Sequence, residues 1–304
     1  MDICLITPGG TLLKFTLNLS ILSSMTPNTT LRVSGKTRVH YTTKLLTLAS
    51  TIWFGITTIG LWLFGSYILF FYGKATLTGD FDRWNNVLPH GYVIGDWQGN
   101  LVVGIHVLLA AILVIGGPLQ FIPFVRQYAP RFHRWLGRLY IVTAIVVSTA
   151  GLIMVWTRGA VGDTFQHICI SIQAVYCIIF ALMSFRYAKA RQFNKHKVWS
   201  LRLYMVTNGV WFFRVELMFW LLINGGPAGF NPKTFTGPFL TSLALFTYAI
   251  PVSLLLLELY FYARQKQNVS LSLFVFTLII LVTVLLALGI VGATMGMWLP
   301  RLAD

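Results

Sequence analysis

Four histidines are the residues of this chain whose type and spacing could do chemistry, and they fall on four consecutive apolar segments. They are His106, His133, His167 and His196. Their positions predict two pairs, His106 with His167 near one membrane face and His133 with His196 near the other. A b-type haem can lie between bundle helices with one neutral imidazole ligand on each side. We therefore expect both pairs to be ligands of haem b.

The second pair belongs to a motif that occurs twice. Residues 132–143 read FHRWLGRLYIVT, and residues 195–207 read KHKVWSLRLYMVT. The copies lie roughly 60 residues apart, and a repeat of that length indicates duplication of a structural unit. The sequence thus predicts two helix hairpins, at about residues 98–157 and 164–223, that form a central four-helix bundle.

Three arginines near these histidines could bind the propionates of a haem. Arg138 and Arg202 begin the two RLY cores, and Arg214 lies further along the next apolar stretch, near the level predicted for the first pair. Arg214 and Glu216 are two residues apart and do not share a helix face, so each needs a partner elsewhere. They could form interhelical ties or a path for protons or substrate.

The histidines also have structural interpretations. His133 and His196 stand beside cations at a predicted membrane boundary, where such residues contact lipid headgroups. His106 lies deeper, and a hydrogen-bonded structural histidine would satisfy the same position. Both interpretations stay open at this point.

Composition places these residues in a membrane protein. The chain has 304 residues, of which 56% are hydrophobic and 10% are charged, whereas soluble domains have about 25% charged residues. Backbone groups in lipid must bond within their own segment, so we expect an all-α fold with seven transmembrane helices. The predicted spans are about 45–73, 98–126, 136–157, 164–186, 199–223, 237–262 and 270–298.

Charge predicts how the chain is arranged in the membrane. Lys and Arg concentrate before the first span and in alternate loops, which predicts a cytoplasmic N-terminus and an outer C-terminus in a plasma or inner membrane. The net charge of +15 does not indicate nucleic-acid binding, since no basic domain stands apart from the spans. Residues 1–44 are expected to be a cytoplasmic arm, disordered or lying on the membrane surface, and residues 45–304 a single transmembrane domain.

Two further features concern the predicted outer face and the second span. The loop 74–97 contains Trp84, Tyr92 and Trp97 and could be an ordered lid. Gly116-Gly117-Pro118 should kink the second span, because proline removes a helix hydrogen bond and clashes with the preceding turn.

The motifs carry two resemblances. HRWLGRLYIVT followed by HKVWSLRLYMVT resembles the bacterial predicted membrane protein family labelled domain of unknown function 2306, over roughly residues 98–223. This resemblance implies a fold rather than an activity. The alternation of histidines over four helices is also similar to the two-haem transmembrane b-type cytochromes, which implies the pairs His106–His167 and His133–His196.

The sequence leaves three functions open. The first is a membrane b-type cytochrome, an oxidoreductase that transfers electrons across the bilayer from a quinol or another small donor. The second is a small-solute transporter or channel with its site between the two repeats. The third is a non-catalytic protein that assembles with other membrane components or interacts with lipid. The sequence does not indicate an oligomeric state.

Overall fold

A computed structural model of the protein describes most of the chain. The described ranges are 2–6, 12–16, 35–88, 90–159 and 162–303. Two compact units are present, residues 1–41 and residues 42–304. The first contains an antiparallel hairpin of β1 (Asp2–Ile6) and β2 (Leu12–Thr16), which the sequence analysis does not anticipate. Residues 17–34 of the predicted arm lie outside the described residues.

The rest of the described chain is mainly helical. The helices are α1 (Gly35–Ile68), α2 (Lys74–Thr78), α3 (Trp97–Leu119), α4 (Pro123–Tyr128), α5 (Pro130–Thr157), α6 (Thr164–Lys189), α7 (Phe193–Thr207), α8 (Gly209–Asn224), α9 (Pro238–Ala244), α10 (Val252–Lys266), α11 (Val269–Ala293) and α12 (Leu299–Ala303). Short π-helical turns continue α1 into α2, extend α9 to Ala249, and join α11 to α12.

The helices confirm an all-α membrane fold. Five described segments are long and apolar enough to cross a bilayer, namely Arg38–Thr78, α3, α5, α6 and Val269–Ala303. Two bent helix pairs, α7 with α8 and Pro238–Ala249 with α10, raise the number to seven if each pair is one span. The predicted orientation and the duplication stay predictions. We call the end that holds the N-termini of α5 and α7 the inner end, as predicted, and the other the outer end.

Neighbouring helices of the predicted bundle pack in chain order. Helix α3 lies along α5, α5 along α6, and α6 along α7, while α8 lies along α11. The core between α8, α11 and α1 contains large aromatic side chains, including the fully buried Trp211 and Trp298.

The fifth span is broken at Asn208. Helices α7 and α8 meet there at 49°, and the Asn208 amide donates to the Tyr204 carbonyl at 2.8 Å. Asparagine and glycine are poor in helix interiors, so Asn208-Gly209 is a suitable place for the break. The missing Cβ of Gly209 admits Gln173 of α6, whose amide donates to the Val206 carbonyl.

The sixth span is broken at Pro251. Proline has no N–H and disfavours helix at the residue before it, and the two halves meet at 47°. The Tyr176 hydroxyl of α6 donates to the freed Ala249 carbonyl at 3.2 Å. Gln173 and Tyr176 are one turn apart, so a single helix satisfies carbonyls at both breaks.

The glycine–proline sequence ends the helix of the second span instead of kinking it midway. Helix α3 ends at Leu119, directly after Pro118, and α4 begins at Pro123. Gly117 is needed for packing, because a Cβ there would lie 3.2 Å from the Tyr140 ring and 3.3 Å from the Tyr204 ring.

The loop between α2 and α3 is ordered and held against the outer end. Trp84 of its 3₁₀ turn is 3% exposed and packs edge-on against Tyr72, with ring centroids 6.1 Å apart. Gly104 of α3 lets the Trp84 ring approach closely, since a Cβ at that position would lie 3.2 Å from it.

One arginine fastens this loop. Arg158, at the end of α5, donates to the His90 carbonyl at 2.9 Å, to the Asp96 carboxylate at 2.5 Å and to the Asn100 side chain at 3.0 Å. Asp96 also caps α3 by accepting from the Gly99 N–H at 3.0 Å. That bond and the Arg158 guanidinium hold the pKa of Asp96 below its usual value.

The ion pair between Arg158 and Asp96, which holds this loop, should be sensitive to acid. Because the folded-state pKa is lowered, the Asp96 contribution is complete above about pH 4 and is lost as the pH falls through the folded value. We expect Asp96→Ala to accelerate amide hydrogen exchange in residues 79–95 roughly tenfold at neutral pH. Asp163→Ala is the control, since Asp163 caps α6 through Gln166 but forms no ion pair among the described residues. If both variants accelerate hydrogen exchange equally, the ion pair between Arg158 and Asp96 does not hold the loop.

Candidate functional site at the inner end of the bundle

The sequence of α7 places His196 one turn inside its first residue, facing the end of α6. Its Nδ1 lies 3.0 Å from the Ser184 carbonyl oxygen, with the Ser184 and Ser200 hydroxyls at 3.3 and 3.4 Å. A carbonyl oxygen only accepts, so Nδ1 carries the proton and Nε2 keeps its lone pair. Histidines that ligate metals are commonly held in this way, with the other ring N–H bonded to a carbonyl.

His133 lies on the buried face of α5, in line with the buried Leu136 and Tyr140. Its Nδ1 is buried and makes no hydrogen bond to any described residue. The two histidines of the predicted inner pair thus lie near the starts of their helices, His133 on α5 and His196 on α7.

The two RLY boxes meet just above this pair. The Tyr140 and Thr207 hydroxyls lie 2.7 Å apart, and the Tyr140 and Tyr204 rings both approach Gly117. Seven residues separate His133 from Tyr140, and eight separate His196 from Tyr204. Each histidine therefore lies about 10–12 Å along its helix from the tyrosines, so that both reach the same depth.

The outer pair is arranged differently. His106 of α3 turns to α5, where its Nδ1 donates to the Val147 carbonyl at 2.9 Å and its ring passes over Gly151, whose Cβ would lie 3.0 Å away. His167 of α6 meets α5 at Trp156, edge to face, with ring centroids 6.3 Å apart.

These contacts involve different parts of α5. Val147 and Trp156 are nine residues apart, which is about two and a half helical turns. The pairing of His106 with His167 stays a prediction. The bond from His106 to Val147 is one that a structural histidine makes, and it resembles the bond from His196 to Ser184.

The three arginines also differ in their surroundings. Arg202 is paired with Glu258 of α10, with N–O distances of 2.6 and 3.0 Å, and stacks on Trp199 at 4.7 Å. Arg138 is exposed on α5. Arg214 lies over the Phe64 ring at 5.6 Å and within range of the His106 charge. Arg138 is thus free of any ion pair in the described chain, while Arg202 is a tie between helices.

Three polar residues around the broken spans were not identified as site candidates from the sequence, namely Gln173, Tyr176 and Thr247. Glu216 of α8 accepts from the Thr247 hydroxyl at 2.7 Å, and Arg214 donates to the Val210 carbonyl of its own helix at 3.0 Å. The two side chains find separate partners, as their spacing predicts. The signals for this region were Asn208-Gly209 and Pro251, which interrupt two otherwise apolar spans.

The inner pair can supply two nitrogen ligands on facing helices. No three His, Cys, Asp or Glu side chains come together as metal ligands in the described part of the chain. A structural zinc site takes four such ligands, whereas a haem iron needs only axial ligands from the protein. The inner pair thus has the ligand number of a haem site.

Comparison with known protein families finds a similarity over this region. Residues 103–250 match the model of the family described as predicted membrane protein (DUF2306). No curated protein and no solved structure matches the chain, so no match supports the similarity to two-haem cytochromes. The matched segment contains the four histidines of the predicted pairs, both RLY boxes and the helix break at Asn208, and it ends one residue before Pro251. The match confirms, over residues 103–250, the resemblance that the boxes indicate.

Proposed function

We propose that this multi-pass membrane protein holds one b-type haem between His133 and His196 and exchanges electrons at the inner face. The observation that carries the proposal is that the two RLY helices meet at the Tyr140 and Thr207 hydroxyls, 2.7 Å apart, with His196 on one of them held by the Ser184 carbonyl. When bound, a haem supplies one-electron redox chemistry. The electron donor in this proposal is a quinol or another small reductant at the membrane.

The chain's own residues have separate tasks in this proposal. The bond from His196 to Ser184 fixes the ring and directs Nε2 away from α6. Arg134 and Arg138 are exposed one turn apart on α5 and are available to the carboxylates of the group. Arg202 instead fastens α7 to α10 through Glu258 and holds the His196 helix in place.

The proposal contains one haem rather than two. His106 donates to the Val147 carbonyl and His167 packs against Trp156, and the proposal places no iron between these two histidines. Electron transfer across the whole bilayer is therefore not part of the proposal.

An absorption spectrum tests the proposal. Detergent-purified protein from haem-supplemented cells should be red and, after dithionite reduction, show the sharp green α-band of a six-coordinate b-type haem. A colourless preparation of folded protein would contradict it.

A second candidate function is small-solute transport, and the two broken spans favour it. Transporter sites often lie near the membrane midplane at helix breaks, where freed backbone groups and helix ends contact the solute. Gln173 and Tyr176 bridge both breaks from α6. Arg214 forms no ion pair among the described residues, and its charge suits an anionic solute.

Transport has its own test. Colourless protein in liposomes that takes up a small carboxylate anion, with uptake lost in Arg214→Gln, would support this candidate over the haem protein. If the purified protein is red and its liposomes take up no more of the anion than protein-free liposomes do, the result would favour the haem protein over the transporter.

A further inference from the structure

Three cationic side chains lie close together at the outer end, although the predicted topology places few Lys and Arg residues at that end. Lys74 at the start of α2, Arg83 in the 3₁₀ turn and Arg301 in α12 come from three separate parts of the chain. Arg83 Nη2 lies 3.5 Å from the Arg301 carbonyl oxygen. The charges of Arg83 and Arg301 both act on the Tyr67 hydroxyl, so the two guanidinium groups share one neighbourhood.

These cations border a cavity of about 380 Å³. Its lining residues are Phe70, Phe71, Lys74, Arg83 and Leu302. The Arg83 guanidinium stacks over the Phe71 ring at 5.3 Å, which orients it and leaves its remaining N–H groups for a ligand. The cavity thus combines an apolar floor with two cations.

No carboxylate neutralises this group in the described chain. The two ion pairs there are Asp96–Arg158 and Arg202–Glu258. Asp80 and Asp82 are the nearest acids in sequence to Arg83, and both are exposed. Cations that gather without acids attract an anion from outside the chain.

We propose that this cavity binds the phosphate of an anionic membrane phospholipid. Lys74 and Arg83 contact the phosphate, and the acyl chains lie along the apolar residues beside the cavity. Phe70 is 66% exposed and Leu77 is 90% exposed at the same end of the first span, which places apolar surface next to the cations. This apolar surface favours a lipid over free phosphate, which has no apolar part to bury. The proposal does not depend on the haem.

Lipid binding can be measured by native mass spectrometry of the full chain in detergent, titrated with phosphatidylglycerol and with phosphatidylcholine. We expect wild-type protein to retain phosphatidylglycerol preferentially, and Lys74→Gln to lower its affinity about fivefold. Lys74→Gln with Arg83→Gln should remove the preference. Lys74 is exposed, so its replacement leaves the fold intact even if the Arg83 change does not.

Lys233→Gln is the matched control, because Lys233 is an exposed cation in the loop between α8 and α9, outside the cavity. It should leave the preference unchanged. An equal loss in Lys74→Gln and Lys233→Gln would overturn the proposal in favour of a general charge effect. Displacement of the lipid by millimolar inorganic phosphate would overturn it in favour of a free-anion site.

Discussion

In the His196→Ala variant, we expect haem retained after purification to fall at least about tenfold. The imidazole is one of the two proposed ligands, and its Nδ1 bond to Ser184 prepares it for that role. His133→Ala should give the same loss, because the two side chains act on one iron. The measurement is the haem absorbance per polypeptide, recorded on protein that elutes as a folded species.

His40→Ala is a suitable control for these variants. His40 is exposed near the start of α1 and makes no part of the inner site. It should keep the full haem content. If His196→Ala and His40→Ala retain equal amounts of haem, the proposed coordination is wrong.

The second large effect concerns Gly289, at the contact of α11 with α8. A Cβ there would lie 2.5 Å from the Val215 carbonyl oxygen and 2.7 Å from Val215 Cγ1. Gly292 follows on the same side of α11, close to the Met218 backbone. Small residues allow such close approach of membrane helices, and backbone atoms cannot turn aside as a side chain does. Gly289→Ala must therefore separate α8 from α11.

Overpacking of this kind costs about 1–3 kcal/mol, so we expect the thermal unfolding midpoint in detergent to fall by roughly 5–10 °C. Gly55→Ala is the control, since a Cβ at Gly55 would meet nothing within 4 Å. Its midpoint should stay the same or rise, because alanine favours helix over glycine. A Gly289→Ala midpoint that matches the Gly55→Ala midpoint would show that the two helices are not in tight contact.

The spans could be predicted from sequence because lipid imposes a simple rule. Long apolar runs must be helices, and the structure contains five such segments with two further bent pairs. The breaks at Asn208 and Pro251 were missed, because their carbonyls are satisfied by Gln173 and Tyr176, which lie more than 30 residues away in the chain. Hydropathy contains no information about such distant partners.

The candidate site was predictable in part. The tyrosines of the two RLY boxes, Tyr140 and Tyr204, both lie near Gly117 of α3, while the duplication itself stays a prediction. Depth alone suggested that His106 and His167 would face each other. Which side of a helix a residue occupies relative to its neighbours depends on helix rotation, and His106 and His167 contact different residues of α5. Both pairings stay predictions.

The central claim is that one imidazole from each RLY helix binds a single haem. The most direct measurement is the ratio of haem to polypeptide in wild-type protein and in the His106→Ala/His167→Ala double variant. We predict a ratio near one haem per chain in both, with the same reduced spectrum. A wild-type ratio of two, or a double variant that is folded but colourless, would contradict this account.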